Sequence, residues 1–327
     1  MKPVLFVPSN DTMAYWMPSI ARRLEKPQWA VIASRREGAP QVLRDQSIPF
    51  QTYSFGSIDF NKYSAVILGN DWGLEEQAIV REARATKCKS ICIQEGTVTK
   101  PYGTKYHECD LFVAASELWA RALGAPHAPI GGMPLAAMVA PHIHAWPPYI
   151  LINCNFTYGV DQTFKQDYLT KALRAAHGHQ HTVSVHPRDE TDLDKGIAWE
   201  EQMFGQAGRW IRSNLQRLHK DLPGTGVVIS RNSSVIYEAM MSGCEVIYLR
   251  AGESGIFDDY PHSALWYPSE QLSLEQCVDE ALHAYVENSE YRFGLRSTFL
   301  REHLGPWRYE SPIECAKIIT SYLEQVS

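Results

Sequence analysis

Two α/β domains of Rossmann type, each a parallel sheet wrapped by helices, are the fold this sequence predicts, and three observations predict it. Short apolar runs alternate with helical segments along both halves of the chain, a pattern that implies parallel pairing through crossover helices. The alternation breaks once, over residues 125–148, where "APHAPIGGMPLAAMVAPHIHAWPP" carries six prolines in 24 residues. Proline on that scale excludes a long helix or a central strand, so the stretch reads as an interdomain crossover. The length, 327 residues, is that of two domains. The boundary therefore falls at the break, giving an N-terminal domain over residues 1–140 and a C-terminal domain over residues 141–327.

The elements follow in order. Val4–Val7 is a first core strand, and a helix runs from about Thr12 to Leu24 with Asp11 available as its cap. Strands are expected at Ala30–Ala33, Phe50–Phe55 and Ala65–Leu68. "LEEQAIVREARAT" (74–86) is an amphipathic helix, "SICIQEG" (90–96) a buried strand ending in a polar turn, and "DLFVAAS" (110–116) a strand before a helix over Glu117–Leu123. After the break come a strand at "YILINCNF" (149–156), a helix near Gln162–Ala176 and a strand at "HTVSVHP" (181–187). A helix is expected near Trp199–Leu218. Val227–Ile229 and Val246–Leu249 are strands around a helix over Val235–Met241, which ends at Gly243. Helices near Leu274–Val286 and Pro312–Gln325 close the chain. The segment between them, "SEYRFGLRSTFLREHLGPW", is a helix candidate able to cross back onto the first domain.

Composition excludes several classes. The net charge is −6 with no Lys/Arg run, which argues against nucleic acid as a partner. The first apolar run is too short for a signal peptide, and no window approaches the roughly 18 apolar residues of a membrane span. Seven cysteines, odd in number and scattered, read as reduced core thiols of a cytoplasmic protein. The histidine-rich pieces "PHIH" (141–144) and "HGHQH" (177–181) lack acidic or cysteine partners at ligand spacing, so no metal site is expected.

In open α/β sheets, ligands bind beyond the carboxyl ends of the strands, and two such domains would hold one between them. Residues at strand ends are thus the candidates. Ser233 and Ser234 follow the strand "VVIS" and open a helix, where unpaired N–H donors suit a phosphate; helix capping by Asn232 or Ser233 is the plainer role for the same residues. His186-Pro187 ends another strand and can donate to a phosphate oxygen, with Arg188 a further contact; an exposed strand-end histidine is the alternative. Glu238 lies one helical turn beyond Ser234 and can accept from a pair of ribose hydroxyls. In the first half, Glu95 ends "SICIQ", placed as a general base toward an acceptor hydroxyl, or as a capping or ion-pairing glutamate. Asp71 in "GNDWG" ends the preceding strand and is the second-choice base, or the nucleophile of a retaining reaction. The chain has no G-x-x-x-x-G-K-[ST], G-x-G-x-x-G or G-x-S-x-G motif, which excludes the P-loop, ordinary dinucleotide and α/β-hydrolase readings.

The order of these features, E-G, then H-P, then S-S followed by Y-E-A, resembles the bacterial GT-B glycosyltransferases that use CMP-activated sugars: sialyltransferases, capsule polymerases and Kdo transferases. The resemblance covers the two-domain layout and is carried by about a dozen residues. It implies Glu95 as catalytic base, His186 as nucleotide-phosphate contact, and Ser233 and Ser234 as the phosphate cradle. It also implies a metal-independent reaction with no cofactor beyond the CMP-sugar donor. Its partners would be that donor and a glycan or glycolipid acceptor of bacterial surface polysaccharide, either capsule or lipopolysaccharide. Such acceptors place the enzyme in the cytoplasm, with peripheral association at the inner face of the membrane. The sequence departs from the family's acidic-acidic-Gly triplet, having Gln94-Glu95-Gly96. CDP-glycerol and CDP-ribitol transferases share H-P and S-S, and a UDP-sugar 2-epimerase shares the two-domain cleft, so both stand as alternatives; a non-catalytic nucleotide-sugar binding protein is a further class.

Overall fold

The computed structural model describes residues 2–32, 38–54, 56–97, 108–139, 147–154, 156, 162–185, 209–212, 222–252, 255–306 and 309–326. The chain divides into two compact units: Met1–Met138 with Arg301–Ser327, and Val139–Leu300.

The first unit is built on strands β1 (Val4–Phe6), β2 (Pro27–Ile32), β3 (Gln51–Tyr53), β4 (Ala65–Leu68), β5 (Lys89–Ile93) and β6 (Leu111–Val113), with helices α1 (Asp11–Ala21), α2 (Ala39–Asp45), α3 (Leu74–Ala85) and α4 (Glu117–Ala122) between them. All pairings are parallel, in the order β3-β2-β1-β4-β5-β6. The strands β1 and β4 are buried at every position, because helices cover both faces of a parallel sheet; this is why they read as unbroken apolar runs. The helix α1 is capped by Asn10 rather than Asp11, its Oδ1 accepting the Met13 N–H at 2.8 Å.

The second unit repeats the plan with β7 (Tyr149–Cys154), α5 (Gln162–Ala175), β8 (His181–Val185), β9 (Arg209–Arg212), β10 (Thr225–Ser230), α6 (Val235–Met241), β11 (Glu245–Tyr248), α7 (Ile256–Asp259), β12 (Leu265–Trp266) and α8 (Leu274–Glu287). Its sheet, also parallel, runs β12-β11-β10-β7-β8-β9. In both sheets the first strand of the unit lies beside the fourth, so the crossovers leave in opposite directions from that pair: β1 and β4 in one, β7 and β10 in the other. Each such pair is a topological switch point.

Two expectations are corrected. The helix expected near Trp199–Leu218 is a strand over Arg209–Arg212, paired from Thr182↔Arg209 to Val185↔Arg212. The tryptophan and isoleucine of "RWIR" favour a strand, and the edge of β8 supplies the partners that fix it; the rest of that span lies outside the described residues. The proline-rich break is not crossover throughout. Its first half packs in the first unit, with Ala114 bridged to Ile130 and a short 3-10 turn over Pro134–Met138. Met133 and Leu135 there are buried. Helix α9 (Glu290–Leu304) spans the division at residue 300, and α10 (Ser311–Val326) packs in the first unit, where Ser311 donates to the Met133 carbonyl at 3.0 Å. The first unit thus includes the last segment of the chain, Arg301–Ser327.

Within the second unit, α9 is tied down by a buried ionic cluster. Glu245 is fully buried and receives the guanidinium groups of Arg292 and Arg296 and, at 2.9 Å, the Trp266 indole N–H. Arg292 also lies 4.7 Å over the Trp266 ring. All seven cysteines are free, six of them buried and Cys109 half-buried. Among the described residues, no helix is long and apolar enough to cross a membrane.

Candidate functional site

The carboxyl edge of the first sheet collects buried polar side chains. Ser9 and Asn10 follow β1, Asn70 and Asp71 follow β4, Gln94 and Glu95 follow β5, and Ser116 follows β6. All are buried except Glu95, which is half-buried. Polar groups are placed inside a protein where they find hydrogen bonds, and here they do. Asn10 caps α1 through Oδ1, which fixes its amide so that Nδ2 faces the Glu95 Oε2 at 3.4 Å. Ser116 caps α4, and Cys109 donates to the Asp71 Oδ2 at 3.4 Å. Asp71 and Glu95 thus stand on neighbouring strand ends at and beside the switch point, as the sequence placed them. Between them is Cys92, whose thiol is pushed well up, first by burial, then by a hydrogen bond to Cys109 and by the negative charge of Asp71 and of Glu95. Its ionised form is suppressed at neutral pH.

The carboxyl edge of the second sheet carries a different chemistry. At the switch point, Ser230 and Asn153 are in register and joined by an Asn153 Nδ2 to Ser230 Oγ hydrogen bond of 2.9 Å. The Tyr168 hydroxyl of α5 reaches the Asn153 and Ile229 carbonyls at 2.9 and 3.1 Å, locking both strand ends to the helix. Burial pushes its pKa well above the usual phenol range. Beyond Ser230 the chain turns through Arg231, Asn232, Ser233 and Ser234 into α6. Ser234 is the N-cap in helical conformation and makes no side-chain capping bond, while Ser233 Oγ accepts the Val235 N–H at 3.3 Å. The guanidinium of Arg231, 3% exposed, lies 4.9 Å over the Phe156 ring. Asn232 is packed against Gly255 so closely that a Cβ there would meet it at 2.5 Å, and its buried Oδ1 has no hydrogen-bond partner among the described residues. Ser234 and Val235 are the half-exposed members of the turn, and Glu238, one turn on, is buried.

The structure thus gathers Asn232, Ser233, Ser234 and Glu238 at one strand end of the second unit, and Asp71 and Glu95 at one edge of the first. His186, Pro187 and Arg188 lie outside the described residues, as does "PHIH". Sequence reasoning missed Arg231 and Asn153 as members of these edges. An asparagine inside the apolar run "YILINCNF" was the available signal for Asn153, since a polar residue in a doubly covered strand needs a specific partner. Lys165, buried on the first turn of α5, carried no signal, because a lysine on an amphipathic helix reads as solvent-facing. Among the described residues, no group of three or more His, Cys, Asp or Glu side chains is placed to hold a metal ion.

No protein-family model and no curated protein matches the chain. Solved structures are similar to it along its length. The UDP-GlcNAc 2-epimerase of Neisseria meningitidis, bound to UDP-GlcNAc, is similar over 99% of this chain and 100% of its own, with a TM-score of 0.66 at 13% identity. Anabaena HepE, in complex with UDP and glucose, is similar over 98% and 100%, with a TM-score of 0.64 at 10% identity. A glycosyltransferase from Rickettsia africae is similar over 99% and 98%, with a TM-score of 0.60 at 9% identity. At such identities the likeness shows the fold, which is GT-B-like: two parallel-sheet α/β domains.

Proposed function

We propose that this protein is an enzyme of nucleotide-sugar chemistry, transferring a sialic acid- or Kdo-like sugar from a CMP-activated donor to a glycan hydroxyl. One observation carries the reading: the two sheets divide the chemistry between them. The first unit's edge presents two carboxylates suited to moving a proton. The second unit's edge presents serine hydroxyls, backbone N–H groups and the Arg231 charge, suited to a phosphate. Glu95 takes the acceptor hydroxyl's proton as the oxygen attacks the anomeric carbon; the bond from that carbon to the phosphate breaks, and CMP leaves with its electron pair. Ser233, Ser234 and, from the sequence motif, His186 and Arg188 hold the leaving phosphate. The pyrimidine nucleotide is supported by the UDP and UDP-sugars named with the similar solved structures, whereas CMP in particular rests on the order of E-G, H-P and S-S. A glycan or glycolipid of bacterial surface polysaccharide is the proposed acceptor.

A second reading, 2-epimerisation of a UDP-sugar, is favoured by Asp71. Two carboxylates on neighbouring strands can remove a proton from one face of a sugar carbon and return one to the other, which transfer does not need. The deciding experiment incubates the protein with CMP-, CDP- and UDP-activated substrates in D2O, with and without glycan acceptors. Acceptor-dependent release of CMP supports sugar transfer, and release from CDP-glycerol or CDP-ribitol moves the reaction to polyol phosphate. Acceptor-independent deuterium at C2 of a UDP-sugar supports epimerisation. No turnover together with no thermal shift by any nucleotide refutes all three.

A further inference from the structure

We propose that Gln94 is the positioning residue for the Glu95 carboxylate; the inference rests on the reading of Glu95 as base and deepens it. Gln94 is 3% exposed, and its backbone N–H and both ends of its side-chain amide are hydrogen-bonded. Its backbone N–H donates to the Val113 carbonyl at 3.1 Å, and its Oε1 accepts the Ala115 N–H at 3.0 Å, so main chain and side chain both tie the exit of β5 to the exit of β6. Its Nε2 then donates to the Gly96 carbonyl at 3.0 Å, bridging across Glu95 from the residue before it to the residue after it. With both flanking peptides held, the backbone of Glu95 has little freedom left. Asn10 meets the side chain from β1, with its amide orientation already set by the cap of α1. Glu95 is therefore fixed through its main chain by one amide and touched at its carboxylate by another.

The two bonds of the Gln94 side chain demand an amide. One accepts and one donates, and an ionised carboxylate can only accept. An aspartate or glutamate here would set a buried negative oxygen against the Gly96 carbonyl, unless it held a proton to donate. The missing first acid of the triplet is thus replaced by a group doing something an ionised acid cannot do. Position 94 holds the loop, and position 95 meets the proton.

Two substitutions test this. Gln94→Met keeps the volume and removes both side-chain bonds. It should lower kcat by about 10- to 100-fold, the scale of a misplaced reacting group, with nucleotide affinity in the second unit unchanged. Gln94→Glu makes the role titratable. Burial favours the neutral acid, which can accept from Ala115 and donate to Gly96, so turnover relative to wild type should be highest at low pH and fall as the new carboxyl ionises. A readout independent of turnover comes from NMR. In Gln94→Met the Ala115 amide should exchange at least about tenfold faster, since its acceptor is gone, and backbone order at Glu95 and Gly96 should drop. If no sugar nucleotide is turned over by wild type, the transfer reading fails while the NMR measurements still decide the positioning. Wild-type kcat with unchanged Ala115 exchange in a folded Gln94→Met variant overturns the inference, as does a Gln94→Glu pH profile parallel to wild type. Should the methionine variant not fold, the glutamate variant at low and high pH carries the test alone.

Discussion

Replacing Glu95 by glutamine keeps the shape of the side chain and removes its proton acceptor. Glu95 is half-buried, and Asn10 Nδ2 approaches its carboxylate at 3.4 Å, a long bond that a glutamine oxygen can also accept. The loop itself is held through Gln94, whose bonds go to Gly96 and Ala115 and not to the Glu95 side chain. The expected cost in stability is therefore about 1 kcal/mol or less. The expected cost in rate is much larger, because general-base assistance is worth roughly a hundred- to ten-thousand-fold, or about 2.7–5.5 kcal/mol at 1.36 kcal/mol per tenfold. Steady-state turnover with donor and acceptor measures the second quantity, a urea melt measures the first, and calorimetric titration of the nucleotide confirms that donor binding is intact. Asp71→Asn is the matched control, since asparagine keeps an oxygen for the Cys109 thiol. Turnover within tenfold of wild type in Glu95→Gln, at unchanged nucleotide affinity, refutes the assignment; a larger loss in Asp71→Asn moves the role to that residue.

Other outcomes follow from the proposed function and from the fold. Ser234→Ala and His186→Ala should each weaken nucleotide binding by about 1–3 kcal/mol with the fold intact, and unchanged affinity in both by calorimetry removes the phosphate cradle. If serine, arginine and histidine donors offset the leaving charge as proposed, turnover should persist in excess EDTA; loss restored by a divalent ion contradicts this. Glu245→Ala leaves Arg292 and Arg296 buried without their carboxylate, so it should destabilise by about 3–5 kcal/mol, and a wild-type urea midpoint argues that the cluster holds nothing. Burial pushes the thiols of Cys88, Cys244 and Cys315 up to about 12 and that of Cys277 up to about 11. The unfolded chain then releases these protons above pH about 9 while the folded chain keeps them, so their contribution to stability falls as pH rises from 9 toward 12. Melts across that range check the sign, and replacing Cys88 and Cys277 by alanine should flatten the slope.

Much of the fold was legible because a parallel sheet covered on both faces writes each strand as a short apolar run. Glu95, Asp71 and Ser233-Ser234 stood out as polar residues at the ends of such runs, and the strands do end there. Arg209–Arg212 was illegible as a strand, because four residues carry too little period and the decisive partner is the distant edge of β8. The role of Gln94 was hidden too, since a side chain that accepts from Ala115 and donates to Gly96 leaves no mark in spacing. Nothing in the local sequence marks Lys165 and Glu245 as buried, and only the packing makes them so. Local sequence determined which segments are strands, where each stops and which polar residue stands at its end, because those depend on hydrophobic period and turn chemistry. Only the tertiary structure decided that β1 lies beside β4 and β7 beside β10, and hence which strand ends meet at each switch point. Strand order is set by long-range hydrogen bonding and by how whole helices cover the sheet, and no stretch of neighbouring residues encodes it.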